Sequence, residues 1–292
     1  MTQPETTTEA TGVESPKDEQ TPLQRFVHPS LPLDSIICGD NCDVMGTFPR
    51  ECVDLVVTSP PYDDLRTYGG HDWDFYGVAW QLCRVLKDGG VIVWVVGDQC
   101  KDGSETGTSM MQALHFKTLG LRLHDTMIYA TNKPPMNDRR YQQCWEYQYV
   151  LTKGPPKTAN LLTERCAYAG SPTAARYRQA DGELRDRHGP GVIGDTKPRE
   201  NIWWFPSGNG KQEVVKHPAP FPLRLASDHV ATWTVEGDIV LDPFNGSGTT
   251  TKAARELARR YIGIDVNSEY CEDARKRLEQ QLLPFDAVPV DG

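Results

Sequence analysis

From about residue 35 the apolar residues fall into short β-branched runs: Ile36-Ile37-Cys38, then Val53-Asp54-Leu55-Val56-Val57, then Val91 to Val96. Each run is closed by a turn signal (Gly39-Asp40, Ser59-Pro60, Gly97-Asp98), so each predicts a buried strand. Between the second and third, Val78, Leu82, Val85 and Leu86 recur at helical spacing and predict a helix over Tyr76 to Leu86, stopped by Asp88-Gly89-Gly90. A second helix is predicted over about Ser109 to Thr118, ahead of a strand Thr126 to Ala130. Towards the end of the chain the same rhythm predicts strands at Ile239 to Leu241 and Tyr261 to Ile264, with helices Thr249 to Arg259 and Ser268 to Leu282. Strands and helices alternating in this way predict an α/β fold with a parallel sheet.

Two stretches break the pattern. Met1 to about Thr21 is rich in Thr, Glu, Gln, Ser and Pro, has little to bury, and is expected to be a disordered tail. Asn132 to Lys216 carries Pro134-Pro135, Pro155-Pro156, many Gly and Arg, and only Trp145 to Leu151 reads as a regular strand. A loop-rich insertion of this size is usually functional. The expected division is therefore a tail (1–21), a first half of an α/β domain (22–131), the insertion (132–216) and a second half (217–292). Trp203 and Trp204 within the insertion are expected to be core residues.

Charge sharpens this division. The 292 residues carry a formal charge of −9, but between Thr131 and Lys216 there are 14 Lys and Arg against 9 Asp and Glu. An acidic body with one basic segment suits a nucleic-acid enzyme, in which only the contacting surface must attract phosphate. The 8 Cys include no CxxC pair, which argues against a disulfide framework and a tetrahedral zinc site. His217 has no nearby partner and no metal is expected. No apolar stretch approaches the roughly 20 residues of a membrane span, and the start lacks the pattern of an export signal.

The chemistry concentrates in two segments. In Ile239 to Thr250, a strand ends in Asp242 and runs into Pro243-Phe244-Asn245-Gly246-Ser247-Gly248 and the helix opened by Thr249. Glycines at the carboxyl end of a strand let a ligand approach the backbone. The phosphate-cradling GxxxxGK[ST] pattern is absent and the dinucleotide GxGxxG fails at Thr251, which argues against a pyrophosphate. Asp265, 17 residues after Gly248, lies near the usual distance for gripping ribose hydroxyls. The plainer alternatives are that Asp265 caps the following helix and that Asp242 only forms a turn. In the second segment, Val53 to Thr58 feeds Ser59-Pro60-Pro61-Tyr62. The double proline removes two donors and leaves nearby carbonyls free to accept hydrogen bonds from an exocyclic amine, while Tyr62 is placed to stack on a planar base. A rigid loop with a packed tyrosine is the plainer alternative.

Thr58-Ser59-Pro60-Pro61-Tyr62 resembles motif IV of the DNA amino-methyltransferases, and Asp242 to Gly248 resembles their S-adenosylmethionine motif I. The order, catalytic motif first and cofactor motif last, resembles the circularly permuted β class. Gly39-Asp40 resembles the loop that meets the adenine of the cofactor, Gly263-Ile264-Asp265 the ribose site, and His217 to Pro222, with Phe221, the motif that packs around the methionine end. The resemblance implies a Rossmann-like methyltransferase fold with a mostly parallel seven-stranded sheet, S-adenosylmethionine as cofactor, and double-stranded DNA as partner. It implies base-site residues Ser59, Pro60, Pro61 and Tyr62. It implies cofactor residues Asp40, Thr58, Asp242, Phe244, Asn245, Gly246, Ser247, Gly248, Thr249, Asp265, His217 and Phe221. Ser59, where adenine-directed relatives more often carry Asp or Asn, favours N4 of cytosine over N6 of adenine. The insertion stands where the family carries target recognition, with Arg139, Arg140, Arg176, Arg178, Arg185, Arg187 and Arg199 as candidate phosphate or guanine contacts. The remaining expectations are a cytoplasmic, nucleoid-associated monomer or homodimer that works with a cognate restriction endonuclease or alone. The rival from another class is a catalytically silent DNA-binding module of the same fold.

Overall fold

The computed structural model describes residues 31–61, 73–132, 140–173, 176–186, 191–205 and 221–279. The expected tail, Tyr62, Arg139, Arg187 and His217 lie outside them. In chain order the elements are β1 (Ser35–Cys38), α1 (Asn41–Gly46), β2 (Val53–Thr58), α2 (Phe75–Val85) and β3 (Leu86–Val96). A small hairpin, β4 (Cys100–Lys101) and β5 (Ser104–Glu105), precedes α3 (Thr108–Thr118), β6 (Arg122–Ala130) and β7 (Trp145–Thr152). Four short strands follow: β8 (Thr163–Arg165), β9 (Arg176–Arg178), β10 (Leu184–Asp186) and β11 (Thr196–Pro198). The chain closes with β12 (Ile202–Trp204), α4 (Leu223–Trp233), β13 (Ile239–Asp242), α5 (Thr249–Glu256), β14 (Arg260–Asp265) and α6 (Ser268–Glu279).

The central sheet has eight strands among the described residues, ordered β1-β14-β13-β2-β3-β7-β6-β12. Every neighbouring pair is parallel except those made by β7, which runs antiparallel to both β3 and β6. One strand more than expected is present. It is β12, whose three residues are too short to register as a strand in a hydrophobic pattern, and it adds in parallel to the edge of β6. Its alternation separates the two tryptophans: Trp203 is buried, whereas Trp204 is 54% exposed and so departs from the core expected of it. The strand expected at Trp145 is also real, but it lies inside the central sheet, so the segment 132–216 supplies two of the sheet's strands as well as loops.

The period-two burial of the strands creates two cores. Val53, Val56, Ile92, Trp94, Leu241 and Ile262 face one side and meet Met45 of α1, Val78 and Leu82 of α2, and Phe116 of α3. Leu55, Val57, Val93, Val150 and Val240 face the other and meet Leu225 and Val230 of α4 and Ala253 and Ala254 of α5. Helix α6 covers β1, with Cys271, Ala274 and Leu278 packed around Ile36. The Gly89-Gly90 pair does not end a helix at a distance from the next strand, because β3 starts directly after α2. Gly89 has φ +75°, and a side chain there would lie 2.9 Å from Lys157 Cβ; its N–H donates to the Lys153 carbonyl at 2.7 Å and its carbonyl accepts from Lys157 N at 2.9 Å. The chain leaving β7 therefore passes against this glycine.

At the same end of the sheet, Asp54 is 6% exposed and accepts from Lys87 Nζ at 2.6 Å and from Ile239 N–H at 3.0 Å, with Lys157 Nζ at 3.8 Å. One carboxylate thus joins the starting ends of β2 and β13 to β3 and to the segment after β7. Its removal orphans the Ile239 N–H, while Lys87, 35% exposed, keeps access to water. Asp54→Ala is expected to lower stability by about 1–3 kcal/mol, the cost of stranding a buried hydrogen-bonding group. Urea unfolding checks this, and an unchanged midpoint with an unchanged slope shows that the cluster adds nothing.

Candidate active site at the carboxyl ends of the sheet

From β13 the chain crosses by α5 on one face to β14. From β2 it crosses by α2 on the opposite face to β3. The strand order reverses between β13 and β2, and a reversal of this kind opens a crevice at the carboxyl ends of the strands where α/β proteins place ligands. The β2–β13 ladder pairs Val240 with Leu55 and Leu241 with Val56. Beyond that point the two strands continue into the two segments singled out in the sequence, Thr58 to Pro61 on one side and Asp242 to Thr249 on the other.

Side-chain hydrogen bonds tie the crevice together above the ladder. Thr58 Oγ1 donates to Asp242 Oδ1 at 2.6 Å, and Thr250 Oγ1 of α5 donates to the Val57 carbonyl at 3.0 Å. Thr58 is fully buried and Asp242 is 2% exposed, so both brace the site from within. Ser59 is half-buried, Pro60 buried and Pro61 half-buried at the end of β2.

The glycine turn is fixed by backbone and side-chain contacts. Gly246 and Gly248 have φ +47° and +82°, conformations that favour glycine. Asn245 N–H donates to the Ile264 carbonyl at 2.9 Å, and Asn245 Oδ1 accepts from Thr251 Oγ1 at 3.0 Å. A Cβ at Gly263 would lie 2.6 Å from Asn245 Oδ1, so the turn rests directly on β14. Arg277 of α6 donates to the Ser247 carbonyl and to Thr249 Oγ1, both at 3.2 Å. Asn245, Ser247 and Thr249 are buried, so their side chains shape the turn, and what the turn presents is bare glycine backbone. The Phe244 ring packs edge-on to Trp73 at 4.9 Å and lies 6.3 Å from Trp94.

The acids at the neighbouring strand ends differ in their commitments. Asp265 Oδ2 accepts from Gly246 N–H at 2.8 Å and Oδ1 from Asn267 N–H at 2.9 Å. The cap of α6 is Asn267, whose Oδ1 accepts from Glu269 N–H at 2.9 Å and Tyr270 N–H at 3.2 Å. The helix-cap alternative for Asp265 therefore fails, and this residue instead couples β14 to the glycine turn. Asp40 Oδ1 caps α1 by accepting from Cys42 N–H at 2.8 Å and Asp43 N–H at 3.0 Å, which leaves Oδ2 as its further acceptor. Phe221 is partly buried against the core on the side of the sheet that α4 and α5 cover. The pattern gave no signal for Thr250 or Arg277; the run Thr249-Thr250-Thr251, three hydroxyls buried in the first turn of a helix, is the feature that could have pointed to them. Glycine backbone beside a carboxylate at a strand end suits a ligand with ribose hydroxyls and a zwitterionic tail, which is the chemistry of S-adenosylmethionine.

A model of a DNA methylase family of N6 and N4 enzymes matches residues 53–276. The chain belongs to this family. The methylase is 48% identical over 239 residues to the orphan methyltransferase M.BamHII of Bacillus amyloliquefaciens, covering 79% of this chain and 90% of that one. It is 26% identical over 264 residues to the type II methyltransferase M.HpaI of Haemophilus parainfluenzae, covering 87% and 76%. The M1.HpyAVI–S-adenosylmethionine complex superposes with a TM-score of 0.56 at 25% identity, over 84% of this chain and 99% of the other. The PvuII DNA methyltransferase, described as cytosine-N4-specific, shares the fold with a TM-score of 0.63 at 18% identity, over 85% and 87%. The fold is that of the S-adenosylmethionine-dependent DNA methyltransferases, and S-adenosylmethionine is the cofactor of this methylase.

Burial pushes the Asp242 carboxyl up from 3.8 to about 6, and the charge of Asp265 adds to this; the hydrogen bonds from Thr58 and Phe244 N–H pull the other way. The folded methylase thus holds this proton more tightly than the unfolded chain. Stability from this group is present below about pH 4 and lost as pH rises to about 6, a total on the order of 3 kcal/mol. Asp242→Asn keeps the Oδ1 acceptor and lacks the titration. The stability difference between the variant and the parent is expected to grow in favour of Asn across that window, as measured by chemical denaturation at stepped pH; a flat difference refutes the shift.

Proposed function

We propose that the enzyme transfers the methyl group of S-adenosylmethionine to the exocyclic N4 of a cytosine flipped out of double-stranded DNA. The observation that carries this reading is the meeting of Ser59-Pro60 and the Asp242–Gly248 turn on the two sides of one crevice, at the point where the sheet's order reverses. The cofactor supplies an electrophilic methyl group on sulfonium. Everything else is the work of the chain. An amine conjugated to a base ring is a poor nucleophile because its lone pair is delocalised. Ser59 Oγ and the Pro60 carbonyl would accept the two amine hydrogens, draw them out of the ring plane and free the lone pair for in-line attack on the methyl carbon; the new N–C bond would form as the methyl–sulfur bond breaks, leaving S-adenosylhomocysteine, and the surplus amine proton would pass to water. Pro60 and Pro61 contribute no N–H that competes for these acceptors. On the cofactor side, Asp265 takes the ribose hydroxyls, the glycine backbone at Gly246 and Gly248 takes the methionine end, and Asp40 meets the adenine through its second oxygen.

Ser59 supports cytosine over adenine, since the acceptor here is a neutral hydroxyl in place of the Asp or Asn more usual in adenine enzymes. Residues 132–216, less the strands β7 and β12, are assigned to target recognition. Several of the arginines expected to contact DNA have structural partners: Arg199 NH1 bonds Asp228 at 2.7 Å and its guanidinium lies 4.4 Å over the Trp203 ring, Arg140 binds the Gly103 carbonyl and Glu105 of the small hairpin, Arg178 NH1 donates to the Gly182 carbonyl at 2.7 Å, and Arg185 pairs with Asp181 at 3.9 Å. The relative named an orphan methyltransferase supports action without a partner nuclease.

The deciding experiment incubates the enzyme with unmethylated DNA and S-adenosylmethionine and identifies the product nucleoside by mass spectrometry. N4-methyldeoxycytidine is expected. N6-methyldeoxyadenosine overturns the use of Ser59, and no product on any DNA moves the assignment to a silent DNA-binding module. Ser59→Ala is expected to slow transfer by about 10²-fold, the order found when one polar contact to a reacting group is removed, with cofactor affinity unchanged. Asp265→Ala is expected to weaken cofactor binding by about tenfold or more, the loss of a charge-assisted hydrogen bond, as read by calorimetry. Parental affinity in that variant rules out the ribose assignment.

A further inference from the structure

The catalytic strand and the cofactor strand are adjacent, yet their ladder ends at Val56 and Leu241, two residues short of Thr58 and one short of Asp242. No backbone hydrogen bond of that ladder fixes the distance between the Ser59-Pro60 acceptors and the glycine turn. Two side-chain bonds span the gap: Thr250 Oγ1 to the Val57 carbonyl at 3.0 Å and, next to Ser59, a clasp between residues 184 apart in sequence, Thr58 Oγ1 to Asp242 Oδ1 at 2.6 Å. The same carboxylate oxygen accepts from Phe244 N–H at 3.1 Å, inside the cofactor turn. A continuous path of hydrogen bonds therefore runs from the last residue before Ser59 to the turn that carries the cofactor. Thr58 is fully buried, so its hydroxyl is committed to the Asp242 carboxylate.

We propose that Thr58 is a positioning residue: its hydroxyl, held on the Asp242 carboxylate across the crevice, sets the base acceptors at Ser59 and Pro60 in register with the cofactor turn. The inference rests on the reading of Ser59 and Pro60 as the base site. A small change in spacing suffices to matter, because methyl transfer is an in-line displacement and a misplacement of about 1 Å costs on the order of 10²-fold. The groups that bear on Asp242 are Thr58 from β2, Phe244 N–H from the turn, Thr250 from α5 and, as a neighbouring charge, Asp265 from β14. Replacing the hydroxyl with a methyl removes one of the two hydrogen bonds that favour the ionised carboxylate.

The test compares Thr58→Val and Thr58→Ser with the parent enzyme in three measurements: single-turnover methylation of DNA, S-adenosylhomocysteine affinity by calorimetry at a pH of about 8, and the Asp242 titration by carbon-13 NMR, assigned with Asp242→Asn. For Thr58→Val the expected results are transfer slowed by about tenfold or more, affinity within about threefold, and a higher Asp242 titration midpoint. Thr58→Ser is expected to restore all three. Parental transfer in Thr58→Val overturns the proposal, as does slow transfer with the titration unmoved or with no rescue by Ser. A Thr58→Val protein that has lost cofactor affinity together with rate also overturns it, because the role is then structural support of the cofactor site. If the parent itself methylates no DNA, the base-site reading and the register drawn from it fail together; methylation by the parent with a negative result in Thr58→Val fails the inference alone.

Discussion

Everything at the catalytic edge depends on closing a gap that the sheet itself leaves open. Where strand order reverses, helices on opposite faces diverge and neither can cover the crevice, so the two strands that flank it lose both ladder and lid at the same place. Further down, parallel pairing and two apolar cores hold β2 and β13 in register without help. Above Val56 and Leu241 the register is kept by two groups, the Thr58–Asp242 clasp and the Thr250 hydroxyl on the Val57 carbonyl, while the bond between the Gly246 N–H and Asp265 ties the turn to β14. The burial that makes these bonds strong also raises the cost of the Asp242 charge, and that cost is carried at the site where the ligand binds.

A second buried polar layer ties the far side of the sheet together. Trp233 Nε1 donates to His229 Nδ1 at 3.3 Å, which places the imidazole proton on Nε2, where it meets Gln148 Oε1 at 2.8 Å. Trp203 stacks on the imidazole at 4.6 Å, and Arg199 covers the outer face of that indole while paired with Asp228. Burial, with the Arg199 charge beside it, lowers the His229 pKa to about 3, so the ring stays neutral in its stack. The layer joins β7, β12 and α4, and it explains why a segment that looks like an insertion holds its place: it is keyed into the body by a histidine, a tryptophan and an arginine in contact.

Much of this was legible in the residues. Short β-branched runs named the strands because the central ones, β2 and Val91 to Val96 of β3, are buried on both faces, and the glycine turn could be read because its backbone demands glycine at fixed places. Asp265 was singled out by its distance from Gly248 as a ribose residue, but its bond to the Gly246 N–H was not legible, because spacing alone does not show which backbone groups a carboxylate meets. The sheet's eighth strand was not legible, since three residues carry too little period to distinguish a strand from a loop, and the opposite fates of Trp203 and Trp204 follow from a parity that only pairing with β6 establishes. The Thr58 clasp was invisible for a different reason: threonine before a catalytic loop reads as a loop residue, and its partner lies in the other half of the chain. Burial likewise separates residues that shape the turn, such as Asn245 and Ser247, from the glycines that present it, a distinction that a motif shared as one string does not contain.

Among the described residues, the ribbon that carries β8 to β11 leaves and returns through a single point. Arg199 N–H donates to the Leu162 carbonyl at 2.8 Å, and beyond that bond the segment pairs with itself, β8 with β11 and β9 with β10. Because its ends are already joined, the ribbon's length enters the sheet's stability only through the slowly growing entropy of a closed loop. Insertions, deletions and wholesale replacement between Leu162 and Arg199 are therefore nearly invisible to the sheet. The sheet and its crevice form a fixed engine, and the ribbon is a socket through which lineages that share the engine can diverge.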